Sequence, residues 1–192
     1  MVPGVFYNSM LDFKSKEILK DIAKKSMEHG LLYNKPWIPS VEDLPKPLQE
    51  QKASFVTLTI QDQLRGCIGS IFAQNPLAVD VAENAFNAAF RDPRFSPLKK
   101  EELSLIEIKI SVLSPFEKIN AKNLKELFSI IREYKDGIYL KSPDGRATFL
   151  PDVWEKVPSK EVFIQELYRK AHLPTDYPFN KIEWYRYTTE SF

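Results

Sequence analysis

The chain has 192 residues, 43% of them hydrophobic, and 27 Lys and Arg stand against 26 Asp and Glu for a formal net charge of +1. That apolar content supports a substantial core and argues against disorder, and the length fits one domain or two small lobes. Balanced charge lacks the basic excess that neutralising many phosphates requires, so nucleic acid is a weak expectation, a local basic patch aside.

There is one cysteine, Cys67, and the two histidines are His29 and His172. One thiol makes no intramolecular disulfide, and so small a set assembles no zinc cluster at the usual spacings. Residues 1–10 have neither a basic start nor an apolar run of signal-peptide length, and no run of about 18 apolar residues exists. The expectation is a cytosolic protein without a membrane span.

In chain order, residues 15–29 read as an amphipathic helix, with Ile18, Leu19, Ile22, Ala23 and Met27 on one face. Asp12 or Ser15 suits its start and Gly30 its end. Residues 31–50 carry Pro36, Pro39, Pro45 and Pro47, which predict an ordered extended arm held by Trp37, Ile38, Leu44 and Leu48. Residues 53–60 and 64–72 form a hairpin turning at 61–63. Asn75-Pro76 reads as an N-cap and first helical proline, opening a helix to about Phe90 that Asp92-Pro93 ends. Ser96-Pro97 opens a short helical turn through Leu103. Residues 105–113 are a strand, 123–133 a helix, 137–150 a hairpin turning at 142–145, 159–171 a helix and 181–188 a final strand. Two hairpins without a βαβ cadence predict an α+β fold with antiparallel sheet.

The segment Leu64-Arg65-Gly66-Cys67-Ile68-Gly69 carries the most chemistry. Strand alternation puts Arg65 and Cys67 on one face and Leu64, Gly66 and Ile68 on the other. Paired glycines in a strand mark a bulge or a close backbone approach. An arginine near a thiol favours the thiolate. The plainer reading makes Cys67 a small buried hydrophobe and pairs Arg65 with a carboxylate. On the helix that follows, Asp80, Glu83, Asn84, Asn87 and Arg91 recur at helical spacing amid apolar residues. That stripe is either an ordinary solvated face or the accessible wall of a polar cleft beside Arg65 and Cys67. Asp92-Pro93-Arg94-Phe95 reads as a structural turn plugged by Phe95, with Arg94 the member that faces a ligand. Arg146 suits an anion, but a solvated hairpin arginine is the simpler reading. Tyr185 and Tyr187 fit sheet packing better than base stacking.

Leu64–Gly69 resembles the signature of the AMMECR family. The likeness continues in order through Pro76-Leu77, Asp92-Pro93-Arg94-Phe95, Ile110-Ser111-Val112-Leu113-Ser114-Pro115, Asp136-Gly137-Ile138, Phe149-Leu150-Pro151 and Lys170-Ala171. The resemblance implies a two-lobed fold, a larger lobe using both termini and a smaller one inserted mid-chain. It implies a site near the hexapeptide and, in prokaryotic relatives, association with a Memo-type protein and a radical S-adenosylmethionine enzyme. It names no cofactor. This chain has His172 where the family has glycine after Lys-Ala, and Asp152 where the family often has glutamine, so neither suits family-wide chemistry.

Three functions compete. The first is binding, or acting on, a small molecule or modified group in a cleft between the lobes. Cys67 is then nucleophile or covalent acceptor, with Arg65, Gly66, Gly69, Glu83, Asn84 and Arg94 binding the substrate. No histidine of the family pattern makes a Cys–His dyad, so the thiol depends on a neighbouring cation. The second is a non-catalytic partner module for a Memo-like or radical enzyme, which calls for an exposed apolar patch. The third, a nucleic-acid role, lacks any recognisable binding motif.

Overall fold

The structure is a computed structural model, and residues 10–192 are those it describes. The chain divides into two compact units. One runs through Val112 and is completed by Glu190–Phe192, and the other is Leu113–Thr189. The elements in order are α1 (Phe13–Tyr33), α2 (Lys46–Gln49), β1 (Ser54–Ile60), β2 (Gln63–Gly69), α3 (Leu77–Phe90), a 3-10 segment (Lys100–Leu105) and β3 (Glu107–Leu113). Then follow β4 (Glu117–Ile119), α4 (Leu124–Ile130), β5 (Gly137–Lys141), β6 (Arg146–Phe149), α5 (Lys160–Lys170), β7 (Glu183–Tyr187) and β8 (Thr189–Ser191). Further 3-10 turns occupy Pro151–Lys156 and Phe179–Lys181.

In the first unit, the Asp12 carboxylate caps α1 by accepting from Ser15 N at 2.7 Å. The helix does not stop at Gly30. It runs on to Tyr33, where Asn34 closes it in the left-handed region at φ 53°. Gly30 lies inside the helix because the Phe86 and Phe90 rings fill its side-chain space: a Cβ would lie 2.4 Å from Phe90. The proline-rich arm begins only after Tyr33, turns at 41–44 where the Leu44 N–H donates to the Val41 carbonyl, and makes the single helical turn of α2, whose Leu48 anchors it in the core. Pro76, not Asn75, is the N-cap of α3, and Asn75 instead donates to Glu83 Oε2 at 3.1 Å.

The first sheet has the order β2-β1-β3-β8. β1 runs antiparallel to β2 and to β3. Gln61 and Asp62, between Ile60 and its partner Gln63, both take positive φ, 49° and 61°. This two-residue geometry matches the right-handed twist of the strands. Val56, Leu58, Ile110 and Val112 face a core built with Leu19, Ile22 and Met27 of α1 and with Leu77, Val81 and Ala85 of α3.

The second sheet has the order β4-β7-β5-β6, with antiparallel pairs throughout. Ile138, Leu140 and Trp184 bury one face against Leu127, Phe163 and Leu167. On the other face Tyr139 and Tyr187 flank Phe116, at centroid distances of 5.3 and 5.0 Å, and Tyr185 stands 5.9 Å from Tyr139. The tyrosines thus pack as sheet residues. Gly137 has no side chain because the Tyr187 ring takes its place. α4 ends at Ile130, earlier than its apolar spacing suggests, and Lys160 Nζ closes it by donating to the carbonyls of Phe128 and Ile131. The fold is α+β, with helices on two antiparallel sheets.

Candidate functional site

The hexapeptide occupies β2, the edge strand of the first sheet, and its geometry turns on one extra residue. From the hairpin turn, Ile60 pairs with Gln63 and Thr59 with Leu64, but Leu58 pairs with Gly66 and Thr57 with Cys67. Arg65 has no partner on β1, so it is the inserted residue of a β-bulge. Because side chains alternate faces, a slip of one residue moves all later ones to the opposite face. Without the bulge, Cys67 would oppose the fully buried Val56. With it, Cys67 shares the outer face with Thr57, and their Sγ and Oγ1 share a 3.2 Å hydrogen bond. Leu64 lies on that outer face too, opposite Thr59, which corrects its expected place beside Gly66 and Ile68. Cys67 as a residue is half-buried.

Neither glycine opens room for a ligand. A Cβ at Gly66 would come within 2.1 Å of the Ala88 carbonyl oxygen, and one at Gly69 within 2.2 Å of the Phe55 ring. Their role is close approach of protein to protein, α3 on the inner face and Phe55 on the outer.

The cation beside Cys67 is Arg94, not Arg65. The Cys67 N–H donates to Asp92 Oδ2 at 2.9 Å, and Arg94 Nη2 donates to the Cys67 carbonyl at 3.3 Å. Asp92 is buried, while the Arg94 side chain is 54% exposed. The two are joined by Arg94 Nη2 to Asp92 Oδ2 at 2.6 Å and Nε to Oδ1 at 2.9 Å. That guanidinium, with the Cys67 and Arg94 backbone N–H groups, holds the Asp92 carboxyl well below the usual carboxylate range against the opposing effect of burial. Asp92 in turn raises Arg94. The turn read from Asp-Pro is therefore also the tie between the end of α3 and the hexapeptide.

Arg65 points elsewhere. Its Nε and Nη2 donate to Glu102 Oε1 and Oε2 at 2.7 and 3.0 Å, a bidentate pair that takes Glu102 down to about 2. Its Nη1 is buried without a hydrogen-bond partner among the described residues. The Phe95 ring lies 6.0 Å from Arg65 Cζ and 5.5 Å from Arg94 Cζ, so its π-face attracts both guanidinium groups. The plainer reading of Arg65, a partner for a carboxylate, is the one found, and Phe95 is the plug between two arginines.

The helical stripe departs from expectation in its environment. Asp80 and Asn84 are buried, not accessible. Asp80 accepts from Ser54 N at 2.8 Å, Ser54 Oγ at 2.6 Å, Ser70 Oγ at 2.5 Å and Asn84 Nδ2 at 2.9 Å. Asn84 also donates to the Ser54 carbonyl and to Ser70 Oγ, each at 3.1 Å. Burial raises the Asp80 carboxyl, with the serine hydrogen bonds opposing. This network ties α3 to the start of β1 and to the residue after β2. α3 packs on the Val56–Leu58 face and Cys67 on the other, so the structure does not bring Glu83 and Asn84 to the thiol.

Arg146 is exposed at the start of β6. His172 follows α5 at φ 58°, with its N–H on Arg169 O and the Leu173 N–H on Tyr168 O. That is a left-handed helix end, which explains why the resemblance expects glycine there. Sequence reasoning missed Thr57 and Glu102. Thr57 was hidden by the bulge, since regular counting from the turn sets Gly66 opposite it. Among the described residues no three His, Cys, Asp or Glu side chains gather to hold a metal ion, and no helix is long and apolar enough to cross a membrane.

Comparison with known proteins agrees with this architecture over almost its whole length. A protein of Methanothermobacter thermautotrophicus is 35% identical over 163 residues, 82% of each chain. One of Nanoarchaeum equitans is 35% identical over 164 residues, 82% of this chain and 88% of its own. The crystal structure of an uncharacterized protein from Pyrococcus horikoshii superposes with a TM-score of 0.86 at 30% identity, covering 94% of this chain and 92% of that one. The AMMECR1 family model matches residues 20–192, which contain the bulged hexapeptide, its Asp92–Arg94 tie and both sheets. On that match the chain belongs to the AMMECR1 family.

Proposed function

We propose that this chain binds, or acts on, a small molecule or modified group on the outer face of its first sheet, with Cys67 as the acceptor and Arg94 as the cation that recognises the ligand. One observation carries this reading: the Arg65 bulge turns Cys67 out of the core, where it is half-buried beside Thr57 and next to a half-exposed guanidinium. A cysteine kept only for packing belongs on the core face, where the regular register would have put it. Arg65 supports the site from behind through Glu102 and Phe95. The protein is read as cytosolic, where a lone thiol stays reduced.

The test is mass spectrometry of Cys67. Native protein treated with iodoacetamide at neutral pH is expected to gain one adduct at Cys67, and protein purified directly from cells is examined for a covalent group there. A thiol that reacts only after unfolding overturns the reading. The alternative, a non-catalytic module for a Memo-like or radical S-adenosylmethionine partner, would then be the reading to test.

A further inference from the structure

β2 is the last strand of its sheet, and at Cys67 it turns both main-chain groups away from β1, toward Asp92 and Arg94. A neighbouring strand would meet that N–H and C=O with an acceptor and a donor. Asp92 Oδ2 and Arg94 Nη2 supply the same two groups, locked together at 2.6 Å. Open edge groups of this kind template the addition of another chain, and bulges and charged side chains are the usual means of blunting them. β2 has both, in the bulge at Arg65 and in the ion pair.

A second copy of β2 is the strand that fits this edge. In an antiparallel ladder, opposed residues of one kind exchange both hydrogen bonds. Two copies related by a dyad through Cys67 would satisfy each other's N–H and C=O in an isologous, closed contact. We propose that the Asp92–Arg94 pair is an edge guard, an intramolecular stand-in for a neighbouring strand that keeps β2 from pairing with β2 of a second copy. The guard does not depend on any chemistry of the thiol.

The experiment compares the full chain with the double variant Asp92→Ala, Arg94→Ala. Hydrogen exchange read at the Cys67 amide is expected to show protection in the wild type and about tenfold faster exchange in monomeric variant at low concentration. At higher concentration the variant is expected to sediment as a dimer. Cys67 is the one cysteine, so any disulfide-linked dimer must join two copies of it. Directly opposed residues in such a ladder have Cα atoms about 5.5 Å apart, within disulfide reach. With copper-phenanthroline and air as oxidant, the variant is expected to cross-link faster than the wild type once each rate is divided by that protein's own rate of Cys67 alkylation by iodoacetamide, which removes the effect of Arg94 on the thiol. Wild-type exchange as fast as the variant's, or equal cross-linking rates after that division, overturns the proposal. If the double variant does not fold, Asp92→Asn with Arg94→Gln removes both charges at nearly constant volume and is read by the same outcomes.

Discussion

Cys67 Sγ lies 3.2 Å from Thr57 Oγ1 across the β1–β2 pair, both half-buried. The attacking form of a thiol is the thiolate, which carries no proton and only accepts, so in that form Thr57 Oγ1 is the donor. Thr57→Val keeps the shape and removes the donor. At about 1 kcal/mol for such a bond, native alkylation of Cys67 at neutral pH is expected to slow about fivefold. The rate is followed by intact mass, with thermal melting as the control for folding. An unchanged rate would mean that Thr57 only packs against the sulfur.

Much of this arrangement is legible in the residues themselves, and the rest depends on pairing that a single sequence does not display. Asp12, expected as a helix start, accepts from the backbone three residues on, and Asn123 and Ser159, the first residues of two other predicted helices, do the same. The glycines at 66 and 69 announce close approach, and both sites are filled by neighbouring protein. The stripe at Asp80 and Asn84 has the expected spacing but faces Ser54 and Ser70, a partner that helical periodicity cannot reveal. The bulge at Arg65 hides the face of Cys67, because alternation predicts faces only when no residue is inserted. β4 and β8 have three residues each. They are strands because Trp184, Tyr185 and Arg186 pair with one and β3 with the other, not through propensity of their own.

Gly66→Ala sets a methyl group against the Ala88 carbonyl, and backbone in a buried helix gives way less readily than a side chain. The expected cost is about 1–3 kcal/mol, the range for overpacking a filled interior. Urea unfolding of the two proteins measures it. A variant as stable as the wild type would show that α3 can shift off β2 without loss.

His172→Gly is expected to stabilise the second unit. A β-carbon-bearing residue in the left-handed region costs about 1–2 kcal/mol. Glycine removes that strain, but its freedom in the unfolded chain returns about 0.5–1 kcal/mol. The net gain should be up to about 1.5 kcal/mol, seen as a higher melting temperature. A lower one would reveal that the His172 side chain contributes more than its backbone costs.

Glu102→Gln tests the ion pair behind the bulge through its dependence on pH. Glu102 titrates near 2 in the folded protein, against 4.5 for the free side chain, chiefly through its hydrogen bonds to Arg65. A carboxyl lowered on folding binds fewer protons in the folded state, so its contribution is lost as pH falls through the interval between the two values. The contribution is therefore complete above about 4.5 and gone below about 2. The substituted amide does not titrate and still offers Arg65 one neutral oxygen. At neutral pH the variant is expected to be less stable by about 1.5–3 kcal/mol, the range for hydrogen bonds to charged groups. The 27% exposure of the Glu102 side chain places the value toward the lower end. Asp92 and the other carboxyl groups titrate in both proteins and cancel in the difference. Urea unfolding at a series of pH values should show a constant gap from neutral pH down to about 5 that narrows steadily in stronger acid. A gap that stays constant or widens in acid would mean that the Arg65–Glu102 pair contributes by packing and not by charge.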